Sequence, residues 1–275
     1  MSVTFSGAFT FTGGGFTASL APPPSVATAG WFVGGAGPGG TTSNVQRIIF
    51  ATDTATASSR GPLSAATRYE AGAGTFTEGW FAGGGTPAVS RVQRITYATD
   101  TATASVRGPL SAGRNYVAAT GTSTDGWFGG GNAPAAPAPT GVSIVNRVTY
   151  ATDTATASIR GPLSLARRGA AASTDSSTYG WFGGGAPSTS VVDRITYATD
   201  TATASVRGPL SLTRYYLAAN GNNTNGWFGG GLDPNLGGGV TVIDRITYAT
   251  DTATASVRGP LVVDKQSLAA TSGIQ

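Results

Sequence analysis

Apolar and polar positions in this chain alternate over short runs that are separated by glycine, proline and Asp/Thr turns. Trp227 and Phe228 are adjacent, so in a strand they point to opposite faces, whereas Ile246 and Tyr248 share one face of a later strand. A strand that is apolar on both faces predicts a sheet packed between two neighbouring sheets. The pattern therefore predicts stacked β-sheets.

The same pattern occurs five times, because the Gly-Trp-Phe and Arg-Gly-Pro-Leu elements each recur at intervals of 46–54 residues. In one copy, the first strand is predicted to begin at Arg214 and to end at the Asn220-Gly221 turn. The second is predicted over residues 226–230, the third over 242–248, and the fourth ends at Val257. Four antiparallel strands in each of five units predict the blades of a β-propeller.

The two ends of the chain predict how the ring closes. Residues 264–272 repeat the first-strand pattern, whereas the unit containing Trp31 lacks an Arg-opened first strand. We expect residues 264–272 to pair beside the Trp31 strand, which removes exposed sheet edges. The predicted fold is all-β: a five-bladed propeller of four-stranded antiparallel blades over residues 22–275, with its ring closed by the C-terminal strand completing the first blade. Residues 1–21 are predicted to be an arm packed on the ring or an anchor to a larger assembly.

Several of these elements resemble the kelch repeat over roughly residues 26–275. They are the Arg that opens the first strand, the double glycine that ends the second, and the Tyr before a tight Asp/Thr turn. The chain departs from that family in having Ala104 or Ala255 where a Trp is common, and five units where six or seven are usual. The resemblance implies a propeller, but not the family's usual partners. The repeated sequence Gly-Trp-Phe-Gly-Gly-Gly, followed by Arg-Ile-Thr-Tyr-Ala-Thr-Asp-Thr-Ala-Thr-Ala-Ser-Val-Arg-Gly-Pro-Leu-Ser, also resembles repeats in virion proteins of tailed phages of marine cyanobacteria. This resemblance implies a place on a virus particle.

The amino-acid composition limits the catalytic and metal-binding chemistry that this chain can perform. The chain has no His and no Cys, so it offers no Ser-His-Asp or Cys-His nucleophile and no thiolate or histidine metal site. Of its 13 acidic residues, five are the same turn Asp, and the others form no recognisable pair for glycoside cleavage. We therefore predict no enzyme and no cofactor.

Charge and hydropathy exclude two classes of partner. The net charge is +4, but 15 of the 17 Lys and Arg residues recur at fixed places in the units, so the excess charge belongs to the repeat. A nucleic-acid face would show clustered basic residues with interleaved aromatics, and we predict none. No stretch of about 18 apolar residues occurs, so membrane insertion is not expected.

Three sets of residues are candidates for packing or binding. The repeated tryptophans are predicted to be core between blades rather than sugar-stacking groups: Trp31, Trp80, Trp127, Trp181 and Trp227. The loops between second and third strands vary in length and share one face with the fourth-to-first connections, so they are candidate contact residues: Asn132, Pro134, Pro187, Asp233 and Asn235. The basic residues that open the first strands are predicted to form a cationic ring at one mouth of the central channel, either satisfied locally or holding an anion: Arg68, Arg114, Arg167, Arg214 and Lys265.

These features favour a non-enzymatic structural or interaction protein of a phage virion. We expect it in several copies on a capsid or tail, with the loop face contacting other virion proteins. The alternative is a glycan-binding adhesin that recognises host surface polysaccharide.

Overall fold

The computed structural model describes residues 10–12, 15–17, 28–37, 39–134, 141–175, 177–268 and 270. This part of the chain is all-β, and five antiparallel sheets form the five blades of a β-propeller, as predicted. The first blade has three strands and each of the others has four. The helical elements in the described part are five single-turn 3-10 helices, one between the last two strands of each blade: Phe50–Thr52, Tyr97–Thr99, Tyr150–Thr152, Tyr197–Thr199 and Tyr248–Thr250.

Within each blade the strands are hydrogen-bonded in chain order. The first blade contains Ala29–Val33, Val45–Ile49 and Ser58–Arg60. The later blades contain Glu70–Gly74, Glu78–Gly83, Val92–Thr96 and Ser105–Arg107; Ala118–Gly121, Asp125–Gly129, Val145–Thr149 and Ser158–Arg160; Ala171–Thr174, Tyr179–Gly183, Val192–Thr196 and Ser205–Arg207; and Ala218–Gly221, Asn225–Gly229, Ile243–Thr247 and Ser256–Val257. Three short pairs lie outside the blades: Thr10–Thr12 with Gly15–Thr17, Ala36–Gly37 with Gly40–Thr41, and Leu232–Asp233 with Gly238–Gly239.

The first strand of each four-stranded blade is innermost, and the predicted start of this strand is wrong. In the fifth blade it begins at Ala218 rather than at Arg214. Arg214 is fully buried and directed into the blade, and Tyr216 has φ 56°, which a regular strand does not accommodate. The register of the middle strands places Trp227 opposite Arg245.

The connections divide the disc into two faces. We call loop face the side that carries the second-to-third strand loops and the fourth-to-first connections. Isolated β-bridges join the two kinds of segment on this side, for example Asn115 to Asn132 and Tyr215 to Leu232. We call turn face the opposite side, where the first-to-second strand turns and the 3-10 helices lie.

Apolar residues fill the space between consecutive blades. Trp80 of the second blade packs in one cluster with Phe128, Val148 and Tyr150 of the third. The Trp of each second strand therefore packs against the following blade and the Phe packs against the preceding one, which explains why the second strands are apolar on both faces.

At each of four blade junctions, one Asp of the following blade binds a Trp and two Arg residues of the preceding blade, a set that we call the polar clamp. Asp153, in the 3-10 turn of the third blade, accepts a hydrogen bond from Trp80 Nε1 at 2.9 Å on one carboxylate oxygen, Oδ2. The same oxygen lies 3.2 Å from Arg94 Nη1 and 3.4 Å from Arg107 Nε. Trp80 also stacks on Tyr150 with ring centroids 3.8 Å apart. The other three junctions repeat this arrangement around Asp100, Asp200 and Asp251.

Closure of the ring by the C-terminal strand stays a prediction, because residues 269 and 271–275 lie outside the described residues. The described residues before them continue the path of the earlier repeats. Lys265 bridges to Val240, and the Ser267 N–H donates to the Tyr216 carbonyl at 2.8 Å. Of the predicted arm, residues 1–21, only the short hairpin named above lies in the described part.

Candidate binding face at the channel mouth

Five residues with left-handed backbone conformation meet at the centre of the loop face. Each one lies nine residues after the arginine of Arg-Gly-Pro-Leu, and their φ angles are between 54° and 64°. They are Tyr69, Tyr116, Gly169, Tyr216 and Ser267. A left-handed conformation is unfavourable for a bulky side chain and persists where surrounding contacts enforce it.

Backbone hydrogen bonds join these residues around the axis. The N–H of Tyr116 donates to Tyr69 O at 2.9 Å, and the N–H of Gly169 donates to Tyr116 O at 2.9 Å. The series continues from Tyr216 to Gly169 at 2.7 Å and from Ser267 to Tyr216 at 2.8 Å. These bonds hold the strained residues in place at the mouth of the channel.

The three tyrosine side chains form one aromatic cluster. Tyr69 stacks on Tyr116 with centroids 4.1 Å apart, and Tyr116 contacts Tyr216 at 5.1 Å. Gly169 leaves room for the second contact, since an added Cβ there would lie 2.6 Å from the Tyr216 ring. Burial, with Tyr69 as the next cause, raises the pKa of Tyr116 above its ordinary value, so its hydroxyl stays protonated.

Two arginines border the cluster without a carboxylate partner in the described part of the chain. The guanidinium of Arg68 lies 4.9 Å from the Tyr69 ring centre, and that of Arg168 lies 5.4 Å from the Tyr116 ring centre. Their Nε atoms are buried and lack an acceptor among the described residues. Arg68 Nη2 makes one long bond of 3.3 Å to Thr86 Oγ1. The mouth therefore combines aromatic surface, hydroxyl groups and unpaired positive charge.

The predicted ring of five cations is wrong. Arg114, Arg167 and Arg214 are 0% exposed and point into the blades, away from the channel. Arg167 and Arg214 pair with buried carboxylates, at 2.7 Å from Asp193 and 3.0 Å from Asp244.

Arg114 uses the neutral Asn146 in place of a carboxylate. Its Nη2 donates to Asn146 Oδ1 at 2.6 Å, and its Nη1 donates to the carbonyls of Gly130 and Ile144 at 2.6 and 2.8 Å. Burial lowers the pKa of Arg114 to about 10 and also lowers the pKa values of Arg167 and Arg214. The guanidinium groups of these three arginines donate hydrogen bonds to backbone carbonyls of the second strands and of the loops that follow them.

The other two predicted members occupy different environments. Lys265 is exposed and its carbonyl accepts from Gly231 N–H at 2.7 Å. Arg68 lies eight residues after its Arg-Gly-Pro-Leu arginine, whereas Arg114 and Lys265 lie seven after theirs. Thr67 therefore occupies the equivalent position in the first unit. Counting from Arg-Gly-Pro-Leu would have revealed this, together with the series of tyrosines that the sequence analysis missed.

The predicted loop residues lie on the loop face with different roles. Asn132 is half-buried and pairs with Asn115, while Pro134 and Pro187 are exposed. Asp233 is buried and caps its own turn by accepting from the Asn235 N–H at 2.8 Å, so it is not available to a ligand. Asn235 is exposed and donates through Nδ2 to Thr213 Oγ1 at 3.2 Å.

The repeated tryptophans do not form a sugar-binding surface. Trp80, Trp127 and Trp181 are buried at blade junctions with their indole N–H groups bonded to Asp, and Trp31 makes the same bond while half-buried. Trp227 is half-buried on the face of the last blade that is turned away from the fourth blade.

One cavity, of about 460 Å³, lies beside the strand Ala29–Val33. It is lined by Trp31, Phe81, Glu70 and Gly72, at the position that an inner strand fills in the other blades. Burial raises the pKa of Glu70 to about 7, with Arg91 opposing the shift, and neither of its carboxylate oxygens has a hydrogen-bond partner in the described structure. The cavity is thus a gap in the first blade.

Comparison with known proteins adds no family. A scan against protein-family models and a search of curated proteins both find no match to this chain. Among the described residues, no three acidic side chains are grouped to hold a metal ion, and no helix has the length and apolarity to cross a membrane.

Proposed function

We propose that this protein is a non-enzymatic interaction module whose loop face binds another molecule at the channel mouth. The observation that carries the proposal is the set of left-handed tyrosines. Bulky residues hold a costly backbone conformation where Gly169 shows that glycine is accepted. The cost is not required by the fold, and it places three phenolic rings on one surface.

We further propose that the bound molecule is another protein of a phage virion, present in several copies on a capsid or tail. The support is the resemblance of the repeats to virion proteins of tailed phages. Loops of different length on a constant scaffold fit specific contacts between proteins. Tyr and Arg are also the residue types most enriched at the centres of such contacts.

A second candidate is a glycan-binding adhesin that recognises host surface polysaccharide. It is favoured by Arg68 and Arg168, because unpaired guanidinium groups beside aromatic rings suit a sugar that carries carboxylate or sulfate.

The two candidates are separated by one set of variants. Tyr69→Gly and Tyr116→Gly remove the rings and relax the left-handed backbone. Tyr179→Ala is the matched control, because Tyr179 lies on the turn face beside Arg194, whose guanidinium is 4.2 Å from its ring centre. A photo-crosslinking residue placed at position 69 or 179 reports contacts in purified particles, and an array of acidic polysaccharides reports glycan binding.

For the virion proposal, we expect crosslinks to another virion chain from position 69 and none from position 179. Absence of the protein from purified particles would reject that proposal. Polysaccharide binding that is lost in Tyr116→Gly and kept in Tyr179→Ala would establish the adhesin instead.

A further inference from the structure

One segment of eight residues has the same sequence in all five units. It reads Ala-Thr-Asp-Thr-Ala-Thr-Ala-Ser and contains the end of each 3-10 helix and the turn to the last strand of the blade. The strands on both sides of it vary, since Val148 occupies the position of Ile195 and Ile159 that of Val206. We call these identical segments the threonine turns: residues 51–58, 98–105, 151–158, 198–205 and 249–256.

The polar clamp accounts for part of this identity. In the third blade, Asp153 is buried in the clamp and its carbonyl accepts from Gly108 N–H at 2.8 Å. A Cβ added at Gly108 would meet the carbonyl oxygen of Ala155, and the side chain of Ala157 is buried in the core. These contacts use the aspartate, two alanines and the backbone, and they do not use the side chains of the threonines.

The threonine side chains are exposed in every unit. In the third blade these are Thr152, Thr154 and Thr156, and no described residue is a hydrogen-bond partner of their hydroxyl groups. Exposed positions elsewhere on the turn face differ between units, because the first-to-second strand turns carry Phe76 in one blade and Ser123 in the next. The fold therefore does not explain why every unit keeps the same exposed threonines, whereas contact with another molecule does.

The exposed surface of the threonine turns is neutral and complementary to itself. At the four formed junctions the aspartate of the turn is buried beside two arginines, so the exposed side chains are those of Thr and Ala. A threonine hydroxyl both donates and accepts hydrogen bonds. Two such turns can therefore bind each other through hydroxyl and methyl groups, without the repulsion that like charges cause.

The number of threonine turns indicates the kind of partner. A partner with a single site engages one turn and gives no reason for the other four to stay identical. Five equivalent turns around one axis match a partner that carries five equivalent sites around one axis. A second copy of this propeller has such sites at the same radius, and a two-fold axis between two discs places the turns of one copy on those of the other.

We propose that the protein forms a dimer through its turn face, in which the threonine turns of one copy contact those of a second copy. Once the first pair of turns is in contact, the remaining pairs form at high effective concentration, so five small contacts reinforce one another. The two loop faces of this dimer point in opposite directions and leave both channel mouths free. The inference goes beyond the proposed function and does not depend on it.

Added charge on the turn face tests the dimer. One variant combines three substitutions at exposed threonines of the 3-10 helices: Thr152→Glu, Thr199→Glu and Thr250→Glu. The matched control adds three charges at exposed positions of the loop face: Pro134→Glu, Ala166→Glu and Leu236→Glu. Sedimentation velocity measures the mass of both variants and of the unchanged chain over a roughly hundred-fold range of protein concentration. Circular dichroism verifies that each variant is folded.

Introduced cysteines supply a second measurement that adds no charge. The chain has no cysteine, so a disulfide formed under mild oxidation reports contact between the introduced residues of two copies. Thr152→Cys and Thr199→Cys place the thiol on the turn face, and Leu236→Cys places it on the loop face at a residue that is 70% exposed.

We expect a dimeric mass for the unchanged chain and for the loop-face variant. The turn-face variant should dimerise at least about a hundred-fold more weakly, because it places like charges across the contact. Disulfide-linked dimers should form from Thr152→Cys and Thr199→Cys and not from Leu236→Cys. A chain that is monomeric over the whole concentration range would overturn the proposal. A dimer that persists in the turn-face variant, or that is linked through position 236, would also overturn it. If the turn-face variant does not fold, the cysteine variants decide.

Discussion

Removal of the Asp153 carboxylate tests whether the polar clamp holds adjacent blades together. Asp153→Ala removes one oxygen that is shared by Trp80 Nε1, Arg94 Nη1 and Arg107 Nε. Trp80 is 1% exposed, so its indole N–H loses its only acceptor in the described structure without access to water. The two guanidinium groups are partly exposed, and solvent replaces much of what they lose.

The expected cost follows from these differences in exposure. An unsatisfied buried N–H costs about 1–3 kcal/mol. Each partly exposed ion pair contributes up to about 1 kcal/mol. We therefore expect Asp153→Ala to lower the free energy of unfolding by about 3 kcal/mol.

Urea unfolding followed by far-ultraviolet circular dichroism is the assay, because tryptophan fluorescence would report the changed surroundings of Trp80 directly. Asp125→Ala is the matched control: it removes the same charge from an ion pair at 3.6 Å from Arg147 Nε, at a site that is more exposed. This control should cost about 1 kcal/mol or less. If Asp153→Ala costs no more than Asp125→Ala, the clamp does not stabilise the junction.

Three further predictions concern burial, close approach and closure. Because burial raises the pKa of Glu70 to about 7, the folded state holds a proton that the unfolded state loses near pH 4.5, so the free energy of unfolding falls as pH rises from about 4.5 to 7. Glu70→Gln should remove this pH dependence and add up to about 3 kcal/mol above pH 7, whereas the control Glu78→Gln should keep it. Gly108→Ala should destabilise the fold by at least about 2 kcal/mol in calorimetry, because its methyl group meets a backbone carbonyl; a neutral result would contradict the close approach. Deletion of residues 262–275 should abolish cooperative unfolding, and a truncated chain that melts like the full chain would show that the C-terminus does not close the ring.

The blade architecture could be predicted because it depends on a local rule. Adjacent Trp and Phe residues point to opposite faces of a strand, and the same pair in every unit requires a neighbouring sheet on both sides. In the structure Trp80 packs forward and Phe128 packs backward, as this rule demands. The partners in the polar clamp were harder to predict from the sequence, because Asp153 and Trp80 are 73 residues apart and nothing in their local sequence shows that they meet.

The positions of the candidate site could be found by counting from Arg-Gly-Pro-Leu, but its backbone conformation and its charge pairing could not be predicted from the sequence. Basic residues at repeated positions normally indicate exposed charge, but Arg167 and Arg214 are buried because carboxylates of the third strands reach them. The side-chain pattern also contains no sign of a left-handed backbone at Tyr69 or Tyr116, since bulky residues disfavour it. Both features depend on long-range contacts around the axis.

Replacement of Tyr69 by glycine tests whether the central tyrosines serve binding or the fold. A left-handed conformation costs a non-glycine residue about 1–2 kcal/mol, and glycine recovers this. The lost stacking on Tyr116 is worth about 0.5–1.5 kcal/mol. Because Tyr69 is 37% exposed, truncation also loses about 1–2 kcal/mol of apolar burial, so we expect the free energy of unfolding to fall by less than about 2 kcal/mol.

Tyr150→Gly is the matched control, because Tyr150 stacks on Trp80 at a blade junction and is 8% exposed. It should cost about 3–5 kcal/mol, as buried aromatic truncations do. A comparable loss in Tyr69→Gly would assign the tyrosines to the stability of the ring and remove the observation on which the proposed function rests. Retained stability leaves the strained tyrosines without a structural purpose, because the chain already accepts Gly169 and Ser267 at equivalent positions.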